Sequence, residues 1–416
     1  MNGEILAFIV YFVAIVGVGI YFFFKEKGDA TQANFFLGGR QMGPWVAAMS
    51  AQASDMSAWL LMGLPGSILA FGFGQMWIGI GLALGTAANW IFVAKRLRKF
   101  SSAAGDAITV PQYLGNRFLS KSNALQVICA IIFFVCFTIY VASAYVAGAS
   151  VFTAIFPSLS SHAAMIIFAL AMLLITFFGG FKAVCWTDFF QGILMFAALM
   201  TVPIVIAITK DMDPAALSVV YSYKDAVSGE MVECSFGTGL FDASWQDIIS
   251  GLAWGLGYFG MPHILVRFMS IEKPSMVKKS ATVAIIWVIC ALGCACLIAY
   301  FGRMFLAEEL LTAGAQKMVF IDFARKLFPS FIAGILMAAI IAASMSTADS
   351  QLLVASSSFT SDIYKPIIRK DADEKEILWV GRIIVVIVAV IAFFIASSKG
   401  SGAQAIMNLV ENAWAG

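Results

Sequence analysis

The 416-residue chain is 61% hydrophobic and only 12% charged, with a formal net charge of +2. Soluble domains run nearer 45–50% apolar and about 25% charged, so a water-soluble globule is excluded, and the near-neutral balance leaves no nucleic-acid footprint. The apolar excess has to face lipid, which makes this a polytopic, all-α membrane protein.

A bilayer-crossing helix needs about 20 mostly apolar residues. The first such run, 4–24, is too long for a cleavable signal and has no basic region ahead of it. The second, 44–70, is unusual for carrying Ser50, Ser54, Asp55 and Ser57 and then Gly63-Leu64-Pro65-Gly66. Asp55 falls near its middle, where a charge costs several kcal/mol and is a functional candidate by default. Further spans are expected at 74–94, 123–156, 162–181 and 185–209. Asp188, beside Trp186 and Thr187, reads either as an N-cap at the start of the sixth span or as a functional carboxylate.

The polar stretch 210–243 is a loop, and the seventh span, 244–268, is again broken by Gly251, Gly255, Gly257, Gly260 and Pro262. Its Gly255-Leu256-Gly257-Tyr258-Phe259-Gly260 matches a dinucleotide fingerprint only by accident, because no soluble βαβ unit surrounds it. The eighth to eleventh spans are 280–304, 330–358, 377–397 and 402–416. The ninth carries Ala343-Ser344-Met345-Ser346-Thr347-Ala348-Asp349-Ser350 inside an apolar run. The chain stops at Trp414-Ala415-Gly416 without a polar tail, which predicts a piece of a longer protein.

Spans two and seven, five apart, are both interrupted by glycine and proline, the pattern of a secondary transporter with its site between two inverted repeats. The plain alternative is two kinked packing helices with small-residue contacts such as Gly251 to Gly255. Hydroxyls and unwound carbonyls are hard, neutral ligands suited to an alkali cation. Two histidines, His162 and His263, and seven cysteines without zinc spacing leave no multi-histidine metal site, haem or zinc cluster. Neither histidine forms an obvious set with Ser346, so no hydrolase is read and the chain is not an enzyme. Trp59, Tyr140, Trp254 and Tyr258 are aromatic residues of packing or of a ligand pocket. With the N-terminus outside, 19 of the 26 Lys and Arg residues fall in inner loops, and the positive-inside rule selects that orientation.

Leu37-Gly38-Gly39-Arg40, the run from Ala53 through Gly66, Gly179-Gly180-Phe181 with Trp186-Thr187-Asp188, and Trp254 to Gly260 followed by Pro262-His263-Ile264 together resemble the sodium/solute symporter family, most closely its proline branch. Met345-Ser346-Thr347 with Gln351-Leu352-Leu353 is similar to the same branch, and the resemblance runs in order from about residue 35 to the end. It implies a leucine-transporter-type fold of five-plus-five inverted repeats: an extra span at 4–24, a first repeat at 44–209 and an incomplete second repeat at 244–416, all one transporter domain. It implies sodium-coupled L-proline uptake across a bacterial inner membrane, with Na+ the co-transported ion and the bilayer the setting.

Carried over residue by residue, sodium falls to the carbonyls of Ala53, Met56 and Ala343 and the hydroxyls of Ser346 and Thr347, with Asp55 setting sodium dependence. The substrate pocket falls to Trp59, Tyr140, Trp254 and Tyr258, shaped by Pro262, and gating to Arg40. Asp188, Asp349 and Ser350 form a candidate second cation site, although Asp349 stands where the family commonly has serine. Gln75 likewise replaces an acidic residue of the proline carriers. Another small solute (pantothenate, a sugar, a sialic acid) or a transporter-like sensor module are the alternative readings.

Overall fold

The computed structural model describes residues 3–26, 31–224 and 230–397, and the predicted eleventh span, 402–416, lies outside them. The helices are α1 (Gly3–Glu26), α2 (Gln32–Leu37), α3 (Pro44–Met56), α4 (Gly63–Phe71), α5 (Met76–Ala88), α6 (Lys95–Ala103), α7 (Val110–Arg117), α8 (Ala124–Ile155) and α9 (Ser161–Thr209). A short antiparallel hairpin, β1 (Tyr221–Lys224) and β2 (Met231–Cys234), precedes α10 (Trp245–Ala253), α11 (Pro262–Ser270) and α12 (Val277–Phe305). The chain continues through α13 (Ala307–Thr312), α14 (Val319–Leu327), α15 (Ser330–Phe359) and α16 (Glu374–Ser397).

Among the described residues seven helices are long and apolar enough to cross a membrane, and α10 and α11, bent by 45°, form an eighth span as a pair. The ten spans expected in this region are nonetheless accounted for. The 49 residues of α9 would extend about 74 Å at 1.5 Å per residue, more than twice a hydrocarbon core of about 30 Å. Gly180 divides them, with φ 56° and ψ −159°, a backbone that residues with a Cβ rarely adopt. A Cβ there would stand 2.8 Å from the Phe35 ring. The expected span 44–70 is likewise α3 and α4, each too short to cross alone.

The broken helices set the architecture. Both α3–α4 and α10–α11 open a series of long helices, and each packs against the helix that follows the other: α12 against α3 and α4, and α5 against α10. Gly81 and Gly85 on α5 meet the backbone at Gly251 and Gly255 so closely that no side chain fits between them. The nearly all-buried α15 lies at the centre, against α3, α8, α9 and α1, because its small and apolar residues leave no face that needs water. Arg325 binds Glu4 through two nitrogens at 3.1 Å and marks the face of the molecule at which α1 begins, here the N-terminal face.

Candidate functional site

The site begins where α3 stops. Its last residue is Met56, and Ser57 follows at φ 46° and ψ −174°, a left-handed conformation that a residue with a Cβ holds at a cost of about 1–3 kcal/mol. The Ser57 hydroxyl steadies the turn by accepting from the Trp59 backbone N–H at 3.2 Å. A helix ending inside the protein directs its last carbonyls, and the negative end of its dipole, at whatever packs there. What packs there is α15. Ser346 Oγ lies 2.8 Å from the Ala53 carbonyl and 3.1 Å from that of Ala343, and Thr347 Oγ1 lies 3.0 Å from the Ala343 carbonyl. Four neutral oxygens from two helices thus converge, with Met56 three residues beyond Ala53 at the same helix end. All five residues are buried.

That donor set suits a hard monovalent cation. Among the described residues no group of three or more His, Cys, Asp or Glu side chains could hold a metal. Asp55 lies in the same last turn of α3. Its Oδ2 accepts a hydrogen bond of 2.5 Å from the Tyr258 hydroxyl, on the 3-10 stretch Trp254–Phe259 that prolongs α10. Asn89 fixes that stretch by donating to the Tyr258 carbonyl at 2.8 Å.

Beside the oxygens is a cavity of about 230 Å³, walled by Trp59, Tyr140, Thr347, Ser57, Ser344 and Lys317 among others. Of the five residues expected at a substrate pocket, Trp59 and Tyr140 line this cavity. Trp254 stands behind Trp59, stacked at 5.6 Å between ring centroids and 20° between planes. Tyr258 is turned to Asp55, and Pro262 occupies the first turn of α11, where its missing N–H costs nothing. Thr347 belongs to both the oxygen cluster and the cavity. Sequence reasoning gave no site role to Ser57, Ser344, Lys317 or Ser143, which also lines the cavity. Ser57 and Ser344 lay inside the polar runs already noticed, whereas nothing in the sequence relates Lys317 to the Trp59 turn.

Asp188 does not cap a helix. It lies eight residues beyond Gly180 inside α9 and is fully buried, so the N-cap reading is corrected. Its Oδ2 accepts from Ser50 at 2.7 Å and from Arg267 at 3.1 Å. The same guanidinium, only 1% exposed, donates to Ser50 Oγ at 3.1 Å, to the His263 carbonyl at 2.7 Å and to Ser350 Oγ. Asp349 turns to Thr176, whose hydroxyl donates to it at 2.9 Å. Of the three residues expected at a second cation site, Asp188 and Ser350 thus share the Arg267 guanidinium, and Asp349 faces Thr176.

Arg40 lies at the opposite face from Glu4. It donates to the Met269 carbonyl at 2.8 Å, the Ala107 carbonyl at 2.8 Å and Ser101 at 3.1 Å, and pairs with Asp106 at 2.8 Å. Burial draws this guanidinium below the ordinary arginine value, and Asp106 pulls it back. Arg98 adds a 2.9 Å hydrogen bond to the Glu272 carbonyl. These contacts tie the entry to α3, the end of α6 and the end of α11 into one closed layer.

A family model described as the sodium:solute symporter family matches residues 35–416. The chain is 42% identical over 411 residues to sodium/proline symporter 2 of Staphylococcus saprophyticus, covering 98% of this chain and 77% of the relative. It is 40% identical over 416 residues to the sodium/proline symporter of Escherichia coli K12, covering 99% and 80%. A solved Na+-coupled sialic acid symporter, in its substrate-bound outward-open state, aligns with 100% of this chain and 85% of its own at a TM-score of 0.74 and 19% identity. That last likeness is one of fold, and the fold is the leucine-transporter type expected from the sequence.

Proposed function

The chain belongs to the sodium:solute symporter family, and from that premise we propose that it takes up L-proline by coupling it to sodium entry through the α3–α15 junction. It is a multi-pass membrane protein, and Na+ is its co-transported ion. The observation that carries the coupling is the sharing of Thr347 and α3 between the two ligand positions. The carbonyls of Ala53, Met56 and Ala343 and the hydroxyls of Ser346 and Thr347 would ligate sodium, and Trp59 and Tyr140 wall the cavity next to them. Sodium entering there exchanges the hydrogen bonds between these oxygens for its own coordination and holds α3 against α15. Asp55 sets the local field and orients the second broken helix through Tyr258. Trp254 supports the pocket by backing Trp59, and Pro262 keeps α11 separate from the stretch before it.

Proline then places its ring against Trp59 and Tyr140. Its carboxylate faces the hydroxyls of Ser57 and Ser344 and the N-terminus of α4, whose dipole favours an anion. The cavity reaches Lys317 on the N-terminal face, while Arg40 and Arg98 close the other. With the N-terminus outside a bacterial inner membrane, this is an outward-facing arrangement, and Arg40 acts as the inner latch. Residues 44–209 and 244–416 act as the two repeats of a single transporter domain, with 4–24 added before them. No covalent bond changes in the cycle, so the chain acts as a carrier and not as an enzyme.

The driving force suffices. One charge crossing 100 mV contributes about 2.3 kcal/mol, and a tenfold sodium gradient adds about 1.4 kcal/mol. Together they sustain a proline gradient of roughly several-hundred-fold at one-to-one coupling. The test is labelled L-proline uptake into proteoliposomes under an inward sodium gradient, with equimolar potassium as control and unlabelled pantothenate, glucose and sialic acid as competitors. Accumulation that needs sodium and yields only to unlabelled proline is expected. Sodium-independent uptake, or displacement by another solute, contradicts the proposal.

A further inference from the structure

Away from the transport site, α3, the second half of α9 and α12 diverge around an apolar groove of about 640 Å³. That volume falls in the range of about 300–1,000 Å³ of small-molecule sites. Met49, Ile193, Ile286 and Trp287 form its walls, with Ile286 57% and Trp45 52% exposed. Its mouth lies at the first turns of α3 and α12, the end of the molecule that carries Arg40. There the Lys279 ammonium stands 5.8 Å over the Trp45 ring, with exposed Lys278 beside it. Among the described residues no carboxylate pairs with either lysine.

We propose that this groove is a binding site for one anionic phospholipid, its acyl chains along the apolar walls and its phosphate at Lys279 and Lys278. Tryptophan and lysine at a helix start mark the headgroup level, where lysine lays its stem on apolar surface and presents its charge to water. Two cations without acidic partners at that level attract anionic headgroups over zwitterionic ones. A close-packed partner transmembrane helix would call for a stripe of small residues on this face, whereas apart from Ala197 and Thr282 the walls are Trp, Phe, Met, Ile and Val, shapes that a flexible chain fills. The site also touches the machinery. Met49 precedes Ala53 by about one turn, Gly192 packs against both, and the Trp287 indole N–H donates to the Gly192 carbonyl at 3.2 Å.

The proposal is tested by tryptophan fluorescence of the full chain in phosphatidylcholine vesicles containing increasing phosphatidylglycerol with brominated acyl chains. The signal lost in a Trp287→Phe variant isolates this residue, which lies about 12 Å along α12 from Lys279 at 1.5 Å per residue. Brominated phosphatidylglycerol should quench that signal at about fivefold lower mole fraction than brominated phosphatidylcholine. Lys278→Gln with Lys279→Gln should remove the preference, and Lys279→Arg should keep it. Equal quenching by the two lipids, a preference that survives the double variant, or no quenching of Trp287 at all would each overturn the site. None of these readouts depends on proline transport.

Discussion

In the first broken helix the chain turns at Ser57, a residue with a Cβ held at φ 46°, whereas the second turns across Gly260, Met261 and Pro262 after six residues of 3-10 helix. The first turn is tight and strained, and it leaves the carbonyl end of α3 facing the hydroxyls of α15. The second is relaxed and stretched, and it presents side chains: the Tyr258 hydroxyl to Asp55, the Trp254 ring to Trp59 and, further into α11, the Arg267 guanidinium to Ser50 of α3, with Asp188 of α9 as its counter-charge. In the proposed cycle one break offers backbone oxygens to an ion. The other clamps the first break in place, and three contacts of very different strength do the clamping.

Those contacts can be broken one at a time. Arg267→Met should have the largest effect, because it strands the fully buried Asp188 without a counter-charge, a loss of about 3–5 kcal/mol. Thermal unfolding of the purified protein should show it, with partial recovery in an Asp188→Asn, Arg267→Met double variant. Wild-type stability in the single variant would remove Arg267 from the clamp. Tyr258→Phe comes next. It deletes one hydrogen bond to a carboxylate, worth about 1.5–3 kcal/mol, so the sodium concentration for half-maximal uptake should rise by about ten- to a hundredfold. A change confined to proline affinity would instead make Tyr258 a pocket wall.

Trp254→Ala removes a stacked pair worth about 0.5–1.5 kcal/mol, and up to about a tenfold rise in half-saturating proline is expected, with the sodium dependence unmoved. The smallest effect belongs to the exposed ion pair beside the inner latch. Asp106 is 71% exposed, and exposed pairs are worth under about 1 kcal/mol, so Asp106→Ala should leave uptake within about twofold. Arg40→Ala, which gives up the Met269 and Ala107 carbonyls as well, should slow transport much more.

The two breaks also differ in how well the sequence announces them. Glycine and proline between 251 and 262 mark the second break directly, as Gly180 with its neighbour Gly179 marks the turn between the fifth and sixth spans. The first was noticed for its polar run and for Gly63 and Pro65, yet the chain turns earlier, at a serine that carries no conformational signature. Ser346 and Thr347 were legible because hydroxyls followed by Asp349 are out of place in an apolar span. The partner of Asp188 was not, since 79 residues separate it from Arg267 and only the packing of α11 against α3 and α15 brings them together. Spans follow from local composition, and pairings across the bundle from the tertiary fold.

The most direct test of coupling at the α3–α15 junction is a sodium titration of proline uptake in proteoliposomes bearing Ser346→Ala with Thr347→Ala. The account predicts a rise of tenfold or more in half-saturating sodium, with proline still transported once sodium is high. Unchanged sodium dependence in a folded, active double variant would contradict it.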